Sequence, residues 1–227
     1  MFAQIKHLFL NTFVVDNRYQ YFLSGLGITL LLTFSSFLLG TLLGVIMCAG
    51  MRSGNKALRK IVGLIKGFFV ELPTMVLLMI MVYIIFGSSA LPVLIIVIIG
   101  LTLKAGSYLA EIFDTALSTV QPGEIEAART LGMNRWQAFR LVALPQTITA
   151  ALPLYQNQFV LTMQETAVVG YLAVIDLTRA STIVSSRTLD AFMGLLAITI
   201  IYFLIGATVR SLFQLATRLM NKGGETA

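Results

Sequence analysis

Apolar residues fall along this chain in long unbroken runs, with the polar positions gathered into short links between them. Runs over 22–48, 62–87, 90–113, 147–171 and 191–215 each hold the roughly 20 residues that cross about 30 Å of hydrocarbon at about 1.5 Å per residue. The predicted fold is all-α: a polytopic membrane bundle of roughly five spans, with residues 1–227 as one membrane domain. The first link carries Arg52, Lys56, Arg59 and Lys60, and the third carries Arg129, Arg135 and Arg140, whereas the second, Gly87-Ser88-Ser89-Ala90, is uncharged. Basic links stay on the cytoplasmic side, so the first and third links are expected inside. Asp176, Arg179, Arg187 and Asp190 in the fourth link cancel, and Arg218 and Lys222 add charge to the C-terminal tail. The predicted topology has its N-terminus outside and its C-terminus cytoplasmic.

Composition agrees: the 227 residues are 57% apolar and 11% charged, against about 25% charged in a soluble domain. The net charge of +6 sits in the links, so it reads as membrane orientation and not as affinity for nucleic acid. The single cysteine, Cys48, lies within an apolar run and is expected to pack there, since one thiol builds neither a disulfide nor a zinc site. The first run is too long for a cleaved signal peptide, and His7 reads as an interfacial residue. Small residues recur at Gly25, Gly27, Ser35, Ser36, Gly40 and Gly44. The Gly40–Gly44 spacing permits close helix approach, either between subunits or within one bundle.

The link over 120–146 has a pattern of its own. Pro122 suits a first helical turn, Glu124 and Glu126 favour the positive end of that helix, and Gly132 suits its left-handed end. Asn134 and Gln137 then have capping-box spacing for a second helix, which puts Trp136, Phe139 and Ala143 on one face and frees Arg135 and Arg140. Such an amphipathic hairpin belongs on the membrane surface or on a partner protein. Ala-Ala-Arg-Thr-Leu-Gly-Met-Asn-Arg-Trp also looks like a DNA-reading helix-turn-helix, but that unit needs a third helix and a polar recognition face. The apolar second helix clamped between spans excludes it.

Glu126-Ala127-Ala128, then Gly132, Val142 and Leu144-Pro145 at their spacing, resemble the EAA signature of ATP-binding cassette (ABC) importer permeases, with Val142 where isoleucine is usual. The resemblance implies a type I importer permease fold in which Glu124, Glu126, Ala127, Ala128 and Gly132 dock on an ATPase subunit. Glu126 would make charged contacts there, the alanines would allow close approach and Gly132 would set the angle between the helices. Ser107-Tyr108-Leu109-Ala110-Glu111-Ile112 and Gln164-Glu165-Thr166-Ala167-Val168 are similar to segments of polar amino acid permeases. Gln164, Glu165 and Val70 depart from that family's lysine, aspartate and arginine.

Ionisable residues within spans are costly in lipid and should face the bundle interior or a wet cavity. Glu71, Lys104, Glu111 and Glu165 are therefore the candidates, either for a structural ion pair or for the solute path, with Tyr108 and Gln164 added to the path by the resemblance. Glu71 beside Pro73 is placed to pair with Lys104, while Glu111 and Asp114 are placed to reach water. No Gly-x-x-x-x-Gly-Lys-Ser/Thr loop occurs, so the chain is not expected to be an enzyme or to bind ATP and Mg itself. The resemblance assigns both to a partner ATPase dimer. It further implies a second permease chain, identical or paralogous, an external or periplasmic solute-binding protein, and a multi-pass site in lipid of the bacterial inner membrane. Permeases for methionine or phosphonate are the near alternative. A secondary transporter or channel, which would be expected to show internal repeats, is the remote one.

Overall fold

A computed structural model describes residues 7–224, with side chains to residue 215; the side chains of Arg218 and Lys222 lie outside the described residues. Among them, Leu10–Val14 and Val15–Asn17 form short helical turns, followed by α1 (Tyr19–Met51), α2 (Lys56–Glu71) and α3 (Thr74–Met79), which continues as a wider turn over Ile80–Ile85. Next come α4 (Val93–Ser118), α5 (Pro122–Thr130), α6 (Arg135–Ala138), α7 (Leu144–Glu165), α8 (Leu177–Thr188) and α9 (Ala191–Gly224). Within the described residues, α1, α4 and residues 191–215 of α9 are long and apolar enough to cross a membrane. Two bent helix pairs raise the number to five when each counts as one span.

One of those pairs falls in the second apolar run. The run over 62–87 is not one straight helix: α2 ends at Glu71, the chain turns by 106°, and α3 begins at Thr74. Pro73 causes this, because it has no N–H for a continuous helix and its ring clashes with the preceding turn. Its backbone is extended at ψ 134°, and its carbonyl accepts the Leu77 N–H at 3.0 Å as the first bond of α3.

The chain forms two compact units. The first comprises Met1–Leu38, Leu72–Thr102 and Val160–Thr208. Its core sets Phe22 of α1 against Leu177 and Val184 of α8, with Phe13, Ile198 and Tyr202 packed around them. A side chain at Gly25 would meet the Asp176 carbonyl oxygen at 2.7 Å, so only glycine lets α1 approach the start of α8. Thr29 Oγ1 accepts the Leu177 N–H at 3.1 Å. The expected polar fourth link is thus largely a packed helix. Asp176 is fully buried as its N-cap, accepting the N–H groups of Thr178 and Arg179 at 3.1 and 2.9 Å, because free amides at a helix start are best met by a short acidic side chain.

The second unit comprises Leu39–Glu71, Leu103–Phe159 and Val209–Ala227. Here the Gly40–Gly44 spacing finds its partner within the chain. A Cβ at Gly40 would lie 3.1 Å from that of Ala105, and one at Gly44 would lie 2.8 Å from that of Leu109. Gly106 answers from α4, where an added Cβ would meet the Leu43 side chain at 2.8 Å. Three glycines therefore bring α1 and α4 into backbone contact, replacing the alternative of a seam between subunits.

Candidate coupling surface

The 120–146 link folds into the expected hairpin. Pro122 opens α5 with Glu124 in its first turn, and Gly132 closes it at φ +90°, a conformation that side chains with a Cβ rarely adopt. The Met133 N–H returns to the Ala128 carbonyl at 3.2 Å. Asn134 Oδ1 accepts the Gln137 N–H, and Gln137 Oε1 accepts the Asn134 N–H, both at 2.9 Å. Trp136 and Phe139 stack with centroids 5.8 Å apart.

The residues assigned to docking divide by exposure. Glu126, Ala127 and Gly132 are exposed, whereas Glu124 is half-buried and accepts a hydrogen bond from Gln146 Nε2. Ala128 is buried with Ala138 and Ala143, so in the free chain it packs the hairpin. Leu131 is 82% exposed and Trp136 65%. Glu126, Arg129, Thr130 and Met133 border a shallow concavity of about 420 Å³ beside Gly132.

Phe139 connects the hairpin to the helices above it, forming one wall of an apolar cavity of about 520 Å³ with Cys48 of α1, Phe113 of α4 and Leu144, Ala151 and Tyr155 of α7. At its edge Arg52 donates to Asp114 Oδ1 at 2.6 Å, to the Asp114 carbonyl at 2.8 Å and to Ser118 Oγ at 2.5 Å. The hydroxyls of Thr41 and Tyr155 meet at 2.9 Å. Arg52 counted only as an orienting charge in the sequence, since its partners are some 60 residues away.

The expected path residues do not form one cluster within either unit. In the second, Lys104 is 4% exposed and lies 5.9 Å from the Tyr108 ring centroid, while the Tyr108 hydroxyl donates to the Val70 carbonyl at 3.2 Å. Glu71 does not pair with Lys104: it is exposed at the end of α2 and makes no ion pair among the described residues, because the turn at Pro73 ends its helix there. Glu111 reaches water as expected, with its side chain 53% exposed. It accepts from Lys66 Nζ at 3.0 Å, as Asp114 does from Arg52. In the first unit Glu165 Oε1 accepts the Thr74 hydroxyl at 2.9 Å, and Gln164 is exposed.

Residues 36–222 match the family described as binding-protein-dependent transport system inner membrane component. The histidine/lysine/arginine/ornithine transport system permease protein HisM of Salmonella typhimurium is 33% identical over 209 residues, covering 87% of this chain and 89% of that protein. A crystal structure of an amino acid ABC transporter with histidines contains a chain that superposes with a TM-score of 0.82 at 31% identity, covering 90% of this chain and 96% of that one. An inward-facing MetNI methionine ABC transporter shares the fold at a TM-score of 0.71 and 21% identity, over 88% of this chain and 96% of that one.

Proposed function

The chain belongs to the family of binding-protein-dependent transport system inner membrane components, and from that premise we propose that it is the membrane-spanning permease subunit of an ATP-driven importer for a polar amino acid. The observation that supports this best is the exposed hairpin whose turn is made by Gly132 at φ +90°, with Glu126, Ala127 and Leu131 facing outward. A partner ATPase binds ATP and Mg, closes on them, and moves the hairpin. The cavity wall at Phe139 and the Arg52–Asp114 tie pass that movement to α1, α4 and α7. Closing on ATP must favour one packing of the helices over the other, since a ligand shifts an equilibrium only by its differential affinity for the two states.

The basic links hold the hairpin on the cytoplasmic side of the bacterial inner membrane, and a second permease chain completes the path. A solute-binding protein delivers from outside. The chain performs no covalent chemistry. Likeness to relatives named for amino acids favours an amino acid as solute, and the pairing of buried Lys104 with Tyr108 favours a polar one.

The test is ATP-dependent uptake into vesicles by the complex extracted with this chain from its native membrane, over a panel of labelled amino acids, methionine and a phosphonate. Saturable uptake of one or a few polar amino acids is expected. Uptake confined to methionine or the phosphonate would overturn the solute, and solute movement without ATP would overturn the class.

A further inference from the structure

Helix α2 has no buried residue. At 3.6 residues per turn, Leu58, Ile61, Leu64, Ile65 and Phe68 fall on one face, and all of them are exposed. Lys56, Arg59, Lys60 and Lys66 fall on the opposite face. Lys66 is held by Glu111, but Lys56, Arg59 and Lys60 are exposed and without a partner among the described residues. From Ala49 to Val70 the sequence holds no acidic residue. Asn55 caps the helix start, accepting the Ala57 N–H at 2.9 Å, and the turn of 106° at Pro73 ends it.

We propose that α2 lies in the plane of the membrane, in the leaflet on the side of the 120–146 link, and that Lys56, Arg59 and Lys60 bind anionic phospholipid headgroups. An apolar face opposite a basic one is what a helix at the headgroup boundary needs. A turn near a right angle takes the chain from such a helix into a crossing one. Thr74–Ile85, at about 1.5 Å per residue, covers only about 18 Å of a core of about 30 Å. Its start must therefore lie below the headgroups, where an embedded α2 delivers it. A second copy of this chain is a poorer occupant of the basic face, since it would bring Lys56, Arg59 and Lys60 against the same charges. Anionic lipid neutralises them.

The experiment uses the full chain in nanodiscs and needs neither an ATPase nor a solute, so its outcome is separate from that of the transport assay. In a Cys48→Ala background, a fluorophore is placed by cysteine substitution at Leu58, Ile61, Ile65 or Phe68 and quenched by lipids brominated at successive depths. An in-plane helix gives one depth at all four sites. A steady change of depth, amounting to about 15 Å from 58 to 68, overturns the proposal.

In mixed phosphatidylglycerol and phosphatidylcholine discs, lipid retained by the chain is counted by native mass spectrometry. Each basic residue near an anionic surface is worth about 1 kcal/mol, or about five-fold. The variant Lys56→Gln/Arg59→Gln/Lys60→Gln should lose at least that five-fold preference for phosphatidylglycerol, and Lys56→Arg/Lys60→Arg should keep it. If the glutamine variant does not fold, Lys60→Glu alone should lower the preference. An unchanged preference in the neutralised or reversed variant overturns the proposal.

Discussion

Asn134 and Gln137 cap each other across one helical turn, each side chain accepting the other's backbone N–H at 2.9 Å. Everything that follows Gly132 in the hairpin, including the stacked Trp136 and Phe139, takes its direction from this pair. Asn134→Ala removes the capping oxygen and should destabilise the second helix by about 1 kcal/mol. Hydrogen exchange of amides 135–140 is expected to accelerate while α5 exchanges as before. Equal acceleration in both helices would show the hairpin to be held from elsewhere.

The α1–α4 contact depends on the absence of side chains. Gly44→Leu places a branched chain where a Cβ already lies 2.8 Å from that of Leu109, and overpacking of this kind costs about 1–3 kcal/mol. The thermal midpoint of the detergent-solubilised chain should fall. Gly27→Ala, with nothing within 4 Å of its added Cβ, is the control and should leave the midpoint in place or raise it.

Arg52 and Asp114 have side chains 37% and 40% exposed. Solvent screens such a pair, so a double-mutant cycle of Arg52→Gln and Asp114→Asn should give a coupling of about 1 kcal/mol or less. The larger effect is expected on ATP-dependent uptake, since this tie borders the cavity beside Phe139. A stability loss of several kcal/mol with uptake retained would assign the pair to folding alone.

Thr74 donates to Glu165 at 2.9 Å, joining the start of α3 to the end of α7. Thr74→Val removes one hydrogen bond, worth about 0.5–1.5 kcal/mol, and Thr74→Ser retains it. The valine variant should melt earlier than the serine variant. Indistinguishable melting of the two would show that the hydroxyl contributes nothing there.

Much of this architecture was legible in the sequence because the signals are local. A 33-residue helix without a charge over Tyr19–Met51, the capping box and the glycine turn are each written within a few neighbouring residues. What was not legible depends on distant partners. The Gly40–Gly44 stripe offered two possible neighbours, and Gly106 on α4 settles which one. Glu71 and Lys104 looked like a pair by shared rarity in apolar runs, yet Pro73 ends α2 and leaves Glu71 exposed. Asp176 counted in the sequence only as one of four cancelling link charges, because its burial depends on the approach of Gly25 from α1. Pro73 in the second apolar run was legible but the size of its bend was not, because a proline near the middle of such a run marks a kink or a full turn equally well.

The most direct measurement is to tag the chain, extract it gently from its native membrane, and identify what co-purifies with the native protein and with Gly132→Arg, a side chain forced onto a backbone at φ +90° in the middle of the exposed hairpin. An ATPase subunit present with the native chain, and lost from a variant that still inserts and melts as a folded protein, is the expected result. An ATPase retained by the variant, or absent from both, would contradict coupling through this hairpin.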